Sequence, residues 1–169
     1  MGKIYSALGL MSGTSMDGVD ASIIESDGNR EYSIISDEYF EYNQEFYSKL
    51  INIRDKVSTK DDLKTYSDEI QPLEREIALF HANIVNEITK KSKTRIDLVG
   101  FHGQTIFHDP KNKITKQLGD GLLLSQLTKK KVVYNFRQND LENGGQGAPL
   151  APIFHNALAN ELNKKFNLG

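Results

Sequence analysis

The sequence contains no cysteine and no tryptophan among its 169 residues. The absence of cysteine excludes a disulfide scaffold, a zinc site with thiolate ligands and a cysteine nucleophile. The chain also has little excess charge, with a net charge of −2 at pH 7. Nucleic acids and anionic membrane surfaces require a basic protein face, so we expect neither of them as a partner.

Long hydrophobic runs are missing as well. The first ten residues, MGKIYSALGL, carry one lysine and a short apolar run that Ser6 and Gly9 interrupt. They show neither the apolar core nor the cleavage site of a secretory signal, and no run is long enough to span a bilayer. The remaining composition is ordinary, with 38% hydrophobic and 26% charged residues over a length typical of one domain. We therefore expect a cytoplasmic protein.

The order of strand-like and helix-like segments predicts an α/β domain with a mixed sheet. Three strand-like runs joined by turns come first, at Lys3–Met11, Val19–Glu25 and Glu31–Tyr42. The clearest helix follows Pro72, which we expect in its first turn or at a break. Its apolar residues recur every three or four positions, at Leu73, Ile77, Phe80, Ile84 and Ile88. His81 is predicted on the exposed side of this helix.

The later segments continue the alternation of strands and helices. Two short apolar runs, Ile96–Phe101 and Lys131–Phe136, are typical of strands buried on both faces. A weaker strand is predicted at Ile114–Leu118. Further helices are predicted at Asn43–Val57, Leu122–Thr128 and Ile153–Lys165.

The connection between the first two strand-like runs concentrates small, hydroxyl-bearing and turn-forming residues. It has the sequence SGTSMDG at positions 12–18. Asp-Gly between strands is a hairpin signal. Successive uncovered N–H groups in such a turn can form a concavity that accepts an anion. Two interpretations stay open on spacing alone, a phosphate-binding hairpin and an ordinary polar turn.

Polar residues also follow the predicted strand Ile96–Phe101. His102, Gln104 and Thr105 lie at its carboxyl end, where open α/β sheets bind ligands. Their side chains suit the hydroxyls of a sugar or the oxygens of a phosphate. The alternative for His102 is an interior histidine that caps its own loop.

A third polar cluster follows the predicted strand Lys131–Phe136. Arg137 and Asp140 could bind a ligand carboxylate and a ligand hydroxyl, or they could pair with each other on the surface. The glycine-rich loop that follows, 144–149, brings the backbone close either to a ligand or to its own helix. His102, His108 and Asp109 do not have the spacing of a metal site. The residues alone therefore predict an α/β domain that binds phosphate and polar ligands.

Four stretches taken together resemble the anhydro-N-acetylmuramic acid kinase family. They lie in the family's order at Met11–Ala21, Gly100–Pro110, Gln117–Gly121 and Val132–His155. The resemblance implies membership of the superfamily of sugar kinases, actin and heat-shock ATPases, whose members have two ribonuclease-H-like domains with ATP between them. It also implies that residues 1–169 form the N-terminal domain, with a mixed sheet that is opened by antiparallel strands and flanked by helices.

The activity that the resemblance implies has two parts. Water opens the 1,6-anhydro ring of anhydro-N-acetylmuramic acid, and ATP with Mg²⁺ phosphorylates O6. The product is N-acetylmuramic acid 6-phosphate, which belongs to peptidoglycan recycling. The resemblance also makes a homodimer plausible.

Site residues follow from the same resemblance, motif by motif. The nucleotide phosphates would lie on the hairpin residues Gly13, Thr14, Ser15, Met16, Asp17, Gly18, Val19 and Asp20. Asp17 or Asp20 could orient Mg²⁺ through water. The sugar site would be lined by His102, Gln104, Thr105, Asn135, Arg137, Asp140 and Gln146, with Arg137 a candidate for the lactyl carboxylate.

Two departures from the family pattern bear on activity. Asn135 stands where the family usually has Asp, which removes a carboxylate. Members of the family are also much longer, and the residues absent here would carry a second phosphate loop, the adenosine site and the general base. Loss of a general base alone costs roughly 10²- to 10⁴-fold in rate. We therefore expect no catalytic base in this chain and little activity from it alone. The alternatives are a non-catalytic binding module and one subunit of a split enzyme.

Overall fold

The computed structural model describes residues 3–29 and 31–166, without the side chain of Lys164. The strands are β1 (Tyr5–Met11), β2 (Gly18–Ser26), β3 (Tyr32–Glu41), β4 (Leu98–Phe101), β5 (Gln104–Asp109), β6 (Ile114–Leu118) and β7 (Val132–Val133). The helices are α1 (Gln44–Lys56), α2 (Asp62–Thr65), α3 (Ser67–Ser92), α4 (Gly121–Thr128), α5 (Phe136–Glu142) and α6 (Ala151–Phe166). Within these ranges, none of the helices is both long and apolar enough to cross a membrane.

Five strands form one mixed sheet in the order β3-β2-β1-β4-β7. β2 is antiparallel to both β1 and β3, whereas β4 is parallel to both β1 and β7. Met11 lies opposite Asp20, and Leu10 lies beside Phe101. The carboxyl ends of β1, β4 and β7 therefore meet at one edge of the sheet. The predicted α/β class and the antiparallel opening are confirmed.

The hydrophobic core lies where the sheet strands, α1, α3 and α4 meet. In β1 the buried side chains alternate, so Leu8 and Leu10 point to the same face. Leu50 of α1, Ile77 of α3 and Leu124 of α4 have no exposed surface and belong to the same cluster. Full burial of one such side chain stabilises the fold by about 1.5–3 kcal/mol. This packing fixes the sheet edge where the polar loops gather.

Two predictions for the long helix are wrong. α3 begins at Ser67 and runs through Pro72, so the proline lies in the sixth position rather than in the first turn or at a break. The proline removes a single N–H donor, and the buried Ile70 and Leu73 on either side keep the helix packed. His81 is not on the exposed side. It is fully buried because it follows Ile77 by four residues and therefore shares its face.

The chain after α4 also differs from the prediction. β7 contains only Val132 and Val133 instead of the predicted Lys131–Phe136, because Asn135 adopts a left-handed conformation (φ 61°, ψ 32°). α5 then begins at Phe136, so Arg137 and Asp140 lie on a helix. The segment from Gln104 to Asp109 forms an unpredicted strand that pairs with β6 as a separate two-stranded sheet.

Pro72 gives a test of the continuous helix. We expect Pro72→Ala to raise the free energy of unfolding by about 1–2 kcal/mol, because alanine restores the missing helical N–H at an exposed position. Urea unfolding followed by circular dichroism measures the change. The neighbouring exposed variant Gln71→Ala is the control and should change stability by only a few tenths of a kcal/mol. A loss of stability in Pro72→Ala would contradict an unbroken helix.

Candidate functional site

The loop between β1 and β2 forms a tight turn whose conformation depends on two special positions. The Met16 amide donates to the Gly13 carbonyl at 3.3 Å, and Met16 itself is left-handed (φ 60°) with its side chain in the core. A Cβ at Gly18 would lie 2.5 Å from the Phe40 carbonyl oxygen and 2.6 Å from the Tyr39 ring. Position 18 therefore requires glycine. The turn leaves the side chains of Thr14, Ser15 and Asp17 exposed.

The exposed side of this loop offers groups that suit a nucleotide phosphate. Among the described residues, none accepts a hydrogen bond from the backbone amides of Gly13, Thr14 or Ser15. The Ser15 hydroxyl donates to Asp17 Oδ1 at 2.6 Å, and this bond lowers the pKa of the Asp17 carboxyl. Three uncovered donors and one ionised carboxylate thus lie in a single turn.

A magnesium ion fits this turn only as a partner of the nucleotide. Within residues 3–29 and 31–166, no group of three or more His, Asp or Glu side chains is placed to hold a metal. Mg²⁺ is commonly bound by one or two carboxylates together with substrate phosphates and water. Asp17 and Asp20 are both exposed and can supply such a carboxylate, whereas Val19 is fully buried and serves the core.

A buried polar network lies beneath the loop. Ser12 Oγ is 3.2 Å from the Tyr42 hydroxyl and 3.4 Å from His81 Nε2. His81 Nδ1 is 2.8 Å from the Ile77 carbonyl, so the ring proton lies on Nδ1 and Nε2 accepts. Burial lowers the pKa of His81 to about 4 and raises the pKa of Tyr42 to about 12, so both side chains are neutral near pH 7.

The sequence interpretation missed this network. His81 belongs to the same apolar stripe as Ile77 and Ile84, and that spacing was the available signal for its burial. Tyr42 directly follows β3, and nothing in its local pattern indicated a contact with Ser12, which is 30 residues away in sequence.

Gln104 connects the loop to the second polar cluster. Its side chain is fully buried, and Nε2 donates to the Gly13 carbonyl at 2.8 Å. Its Oε1 is buried without a hydrogen-bond partner among the described residues. The neighbouring Thr105 accepts a hydrogen bond from Gln117 Nε2 at 3.2 Å, which joins β5 to β6. The predicted phosphate and sugar segments are therefore in direct contact.

His102 and Arg137 form the centre of the second cluster. Arg137 Nε donates to His102 Nε2 at 2.8 Å, and Arg137 Nη1 donates to the Gly147 carbonyl at 2.8 Å. His102 Nδ1 is 2.7 Å from the Gly103 carbonyl. Burial lowers the pKa of His102, and the Arg137 charge acts in the same direction. His102 is therefore neutral and accepts from Arg137 while it also caps its own loop.

Asp140 holds the glycine-rich loop from the other side. Its Oδ2 accepts from the Gly147 amide at 2.7 Å, and a Cβ at Gly145 would lie 2.1 Å from this carboxylate oxygen. Arg137 and Asp140 thus bond to Gly147, and in the described part of the chain they form no ion pair with each other. The alternative that they pair on the surface is wrong. The loop approaches its own helix, α5.

The two remaining predicted sugar residues lie in different surroundings. Gln146 is exposed, and within the described ranges its side chain has no hydrogen-bond partner. Asn135 is exposed at the start of α5, where it lines a cleft of about 370 Å³ together with Asp120, Tyr134 and Gln138. Gln104, His102, Arg137 and Asp140 are therefore brought together by direct bonds to the loops, whereas Asn135 faces a neighbouring cleft.

Comparison with known proteins assigns the chain to a family. The family model for anhydro-N-acetylmuramic acid kinase matches residues 5–168. The chain belongs to this family. The hairpin of residues 12–18 and the clusters after β4 and β7 all lie within the range that the anhydro-N-acetylmuramic acid kinase family covers.

Individual relatives carry the same name. An anhydro-N-acetylmuramic acid kinase of Pelagibacter ubique (strain HTCC1062) is 63% identical over 161 residues, which are 95% of this chain and 43% of the relative. Its counterpart in Acidiphilium cryptum (strain JF-5) is 43% identical over 94% of this chain and 42% of the relative. The one in Rhizobium etli is 38% identical over 96% of this chain and 45% of the relative. The chain therefore spans less than half the length of these relatives.

The buried His81 predicts a pH dependence of stability. Its folded-state pKa lies below its unfolded value, so the unfolded chain binds more protons between pH 6.5 and about 4. The contribution of His81 to the free energy of unfolding should therefore be fully present above pH 6.5. It should be lost progressively, by up to about 3 kcal/mol, as the pH falls through this window. Chemical denaturation at several pH values measures the slope.

Two variants separate the His81 contribution from that of the carboxylates, which titrate in the same direction. His81→Gln should show a flatter dependence than the wild type between pH 6.5 and 5. His155→Gln, at an exposed position on α6, is the matched control and should retain the wild-type slope. Equal slopes in the wild type and His81→Gln would show that His81 is not the source.

Proposed function

We propose that this chain forms one side of the catalytic cleft of an ATP-dependent kinase acting on anhydro-N-acetylmuramic acid. The reaction would open the 1,6-anhydro ring with water and phosphorylate O6, giving N-acetylmuramic acid 6-phosphate. The observation that carries this proposal is the bond from Gln104 Nε2 to the Gly13 carbonyl. The bond supports the proposal because it joins the turn 12–17, whose uncovered amides suit a phosphate, to the polar residues after β4.

The proposal includes a ribonuclease-H-like architecture for these residues. Its support is the strand order β3-β2-β1-β4-β7, in which β2 alone runs against its neighbours. In this arrangement the opening hairpin and the loops after β4 and β7 share one edge. A second domain would close the cleft from the opposite side and supply the adenosine site and the general base.

On the nucleotide side, the uncovered amides of Gly13, Thr14 and Ser15 would bind the terminal phosphates. Backbone donors in such a turn bind an anion without added side-chain charge. Asp17 would orient Mg²⁺ through water, with Asp20 as the other candidate. When bound, Mg²⁺ would neutralise the charge on the transferred phosphoryl group. The hairpin residues thus position the phosphates for transfer.

On the sugar side, Arg137 would bind the lactyl carboxylate. Its Nε and Nη1 donate within the protein, and Nη2 has no partner among the described residues. The buried environment lowers the pKa of Arg137, and the guanidinium remains charged because its ordinary value is so high. His102, Gln104, Thr105, Asp140 and Gln146 would complete the sugar site, with Asn135 beside it on the neighbouring cleft. We continue to expect a homodimer and a cytoplasmic location, where ATP is available.

Turnover measurements test the proposed function. We expect the 169-residue chain to bind the anhydro sugar and Mg²⁺·ATP in calorimetry and to form the 6-phosphosugar at least about 10²-fold more slowly than a full-length relative. Addition of the C-terminal part of the Pelagibacter relative should raise the rate. If the chain binds neither ligand and gives no product in that mixture, the proposed function fails.

The same experiment distinguishes two alternatives. One is a subunit of a split enzyme, and the other is a non-catalytic binding module. Restoration of turnover in trans would support the split enzyme. Sugar binding without turnover under every condition would instead indicate a non-catalytic binding module.

Arg137 provides a sharper test of the sugar site. Arg137→Ala should weaken binding of anhydro-N-acetylmuramic acid by roughly 10- to 100-fold, because a hydrogen bond to a charged group contributes about 1.5–3 kcal/mol. The analogue that lacks the lactyl group, anhydro-N-acetylglucosamine, is the control ligand and should lose little affinity. Calorimetry with both sugars measures the difference. Equal losses would mean that Arg137 acts only by holding the Gly147 loop.

A further inference from the structure

We infer that Tyr42, Ser12 and His81 form a buried clasp that sets the shape of the loop 12–17, so that Tyr42 and His81 are positioning residues for phosphate binding. This inference rests on the proposed function of that loop. Neither Tyr42 nor His81 contacts the exposed side where a phosphate would bind, because both lie in the core. They act on the ligand through the backbone of the loop.

Tyr42 holds both ends of the loop. Its hydroxyl is 3.2 Å from Ser12 Oγ, at the point where the chain leaves β1. Its backbone amide donates to the Asp17 carbonyl at 2.8 Å, at the point where the chain reaches β2. One residue therefore fixes the separation between the first and last positions of the turn.

The hydrogen bonds have a single consistent direction. His81 Nδ1 donates a hydrogen bond to the Ile77 carbonyl, which leaves Nε2 as an acceptor. The Ser12 hydroxyl donates to that nitrogen and accepts from the Tyr42 hydroxyl. Removal of any one member leaves another buried polar group without its partner. The Ser12 side chain is thus held in one rotamer.

Aromatic packing keeps the clasp rigid. The Tyr42 ring packs edge-on against Phe46, with centroids 5.0 Å apart, and against Phe80, with centroids 4.8 Å apart. The His81 ring packs against Phe101, with centroids 4.9 Å apart. Phenylalanine at position 42 would preserve these ring contacts and lose only the hydroxyl. The Tyr42 hydroxyl therefore supports the loop and is not needed for packing of the core.

The loop needs such support because its conformation is unfavourable in isolation. Met16 occupies the left-handed region, which is unfavourable for residues other than glycine, asparagine and aspartate. A loop that is fixed in advance loses little conformational freedom when an anion binds. Release of the clasp should therefore weaken phosphate binding without changing any group that contacts the phosphate.

Tyr42→Phe tests this inference, with Tyr47→Phe as the matched control. Tyr47 is a half-buried tyrosine of α1 that packs against the same core. Two readouts are compared, the hydrogen exchange of the Met16 amide without ligand and the Kd for Mg²⁺·ATP. We expect Tyr42→Phe to accelerate exchange at Met16 by about tenfold relative to the Leu124 amide of α4 and to raise the Kd about tenfold. Tyr47→Phe should change neither quantity.

A double-variant cycle distinguishes the positioning role of the clasp from a purely structural role. Ser12→Ala and Tyr42→Phe each break the same clasp, so their combination should raise the Kd for Mg²⁺·ATP little more than either variant alone. Additive losses would overturn the inference. An equal acceleration of exchange at Met16 and Leu124 would also overturn it, because it would show general destabilisation.

The outcomes separate this inference from the proposed function. If wild-type chain binds Mg²⁺·ATP and Tyr42→Phe binds it equally well, the inference fails and the proposed function stands. If the wild type does not bind Mg²⁺·ATP, the proposed nucleotide role of the loop fails, and the positioning role fails with it.

Discussion

The central strand β1 is the constraint on which the rest of the site depends. It pairs antiparallel with β2 on one side and parallel with β4 on the other. The connection to an antiparallel neighbour must turn back at once, whereas the parallel neighbour ends at the same edge. The turn 12–17 and the His102 segment are therefore adjacent because of strand direction alone. Gln104 then needs only one hydrogen bond to join them.

Most of the elements could be predicted from local patterns because their burial is periodic. The opening strands, α1, α4 and the apolar stripe of α3 all follow from spacing, since one face of each packs on the core. The site was predictable in part for the same reason. Polar residues that directly follow buried strands, such as His102, lie at the carboxyl edge of the sheet, where the candidate site is. The proposed identity of the ligands comes from the resemblance and not from spacing.

The features that sequence reasoning missed have three separate causes. His81 shares the apolar stripe of Ile77 and Ile84, and its hydrogen bonds to the Ile77 carbonyl and to Ser12 complete its burial. β7 ends early because of one left-handed residue, Asn135, whose conformation has no periodic signal. β5 exists because β6 pairs with it across a short connection. A tertiary contact completes the first case, a single backbone conformation decides the second, and strand pairing decides the third.

The left-handed conformation of Asn135 has a consequence for how this site can diverge. Asparagine and aspartate both adopt this region at a lower cost than most residues, so an exchange between them would leave the start of α5 undisturbed. Arg137 would keep its place two residues later. Related proteins could therefore differ in side-chain charge at this position while the backbone keeps the same conformation.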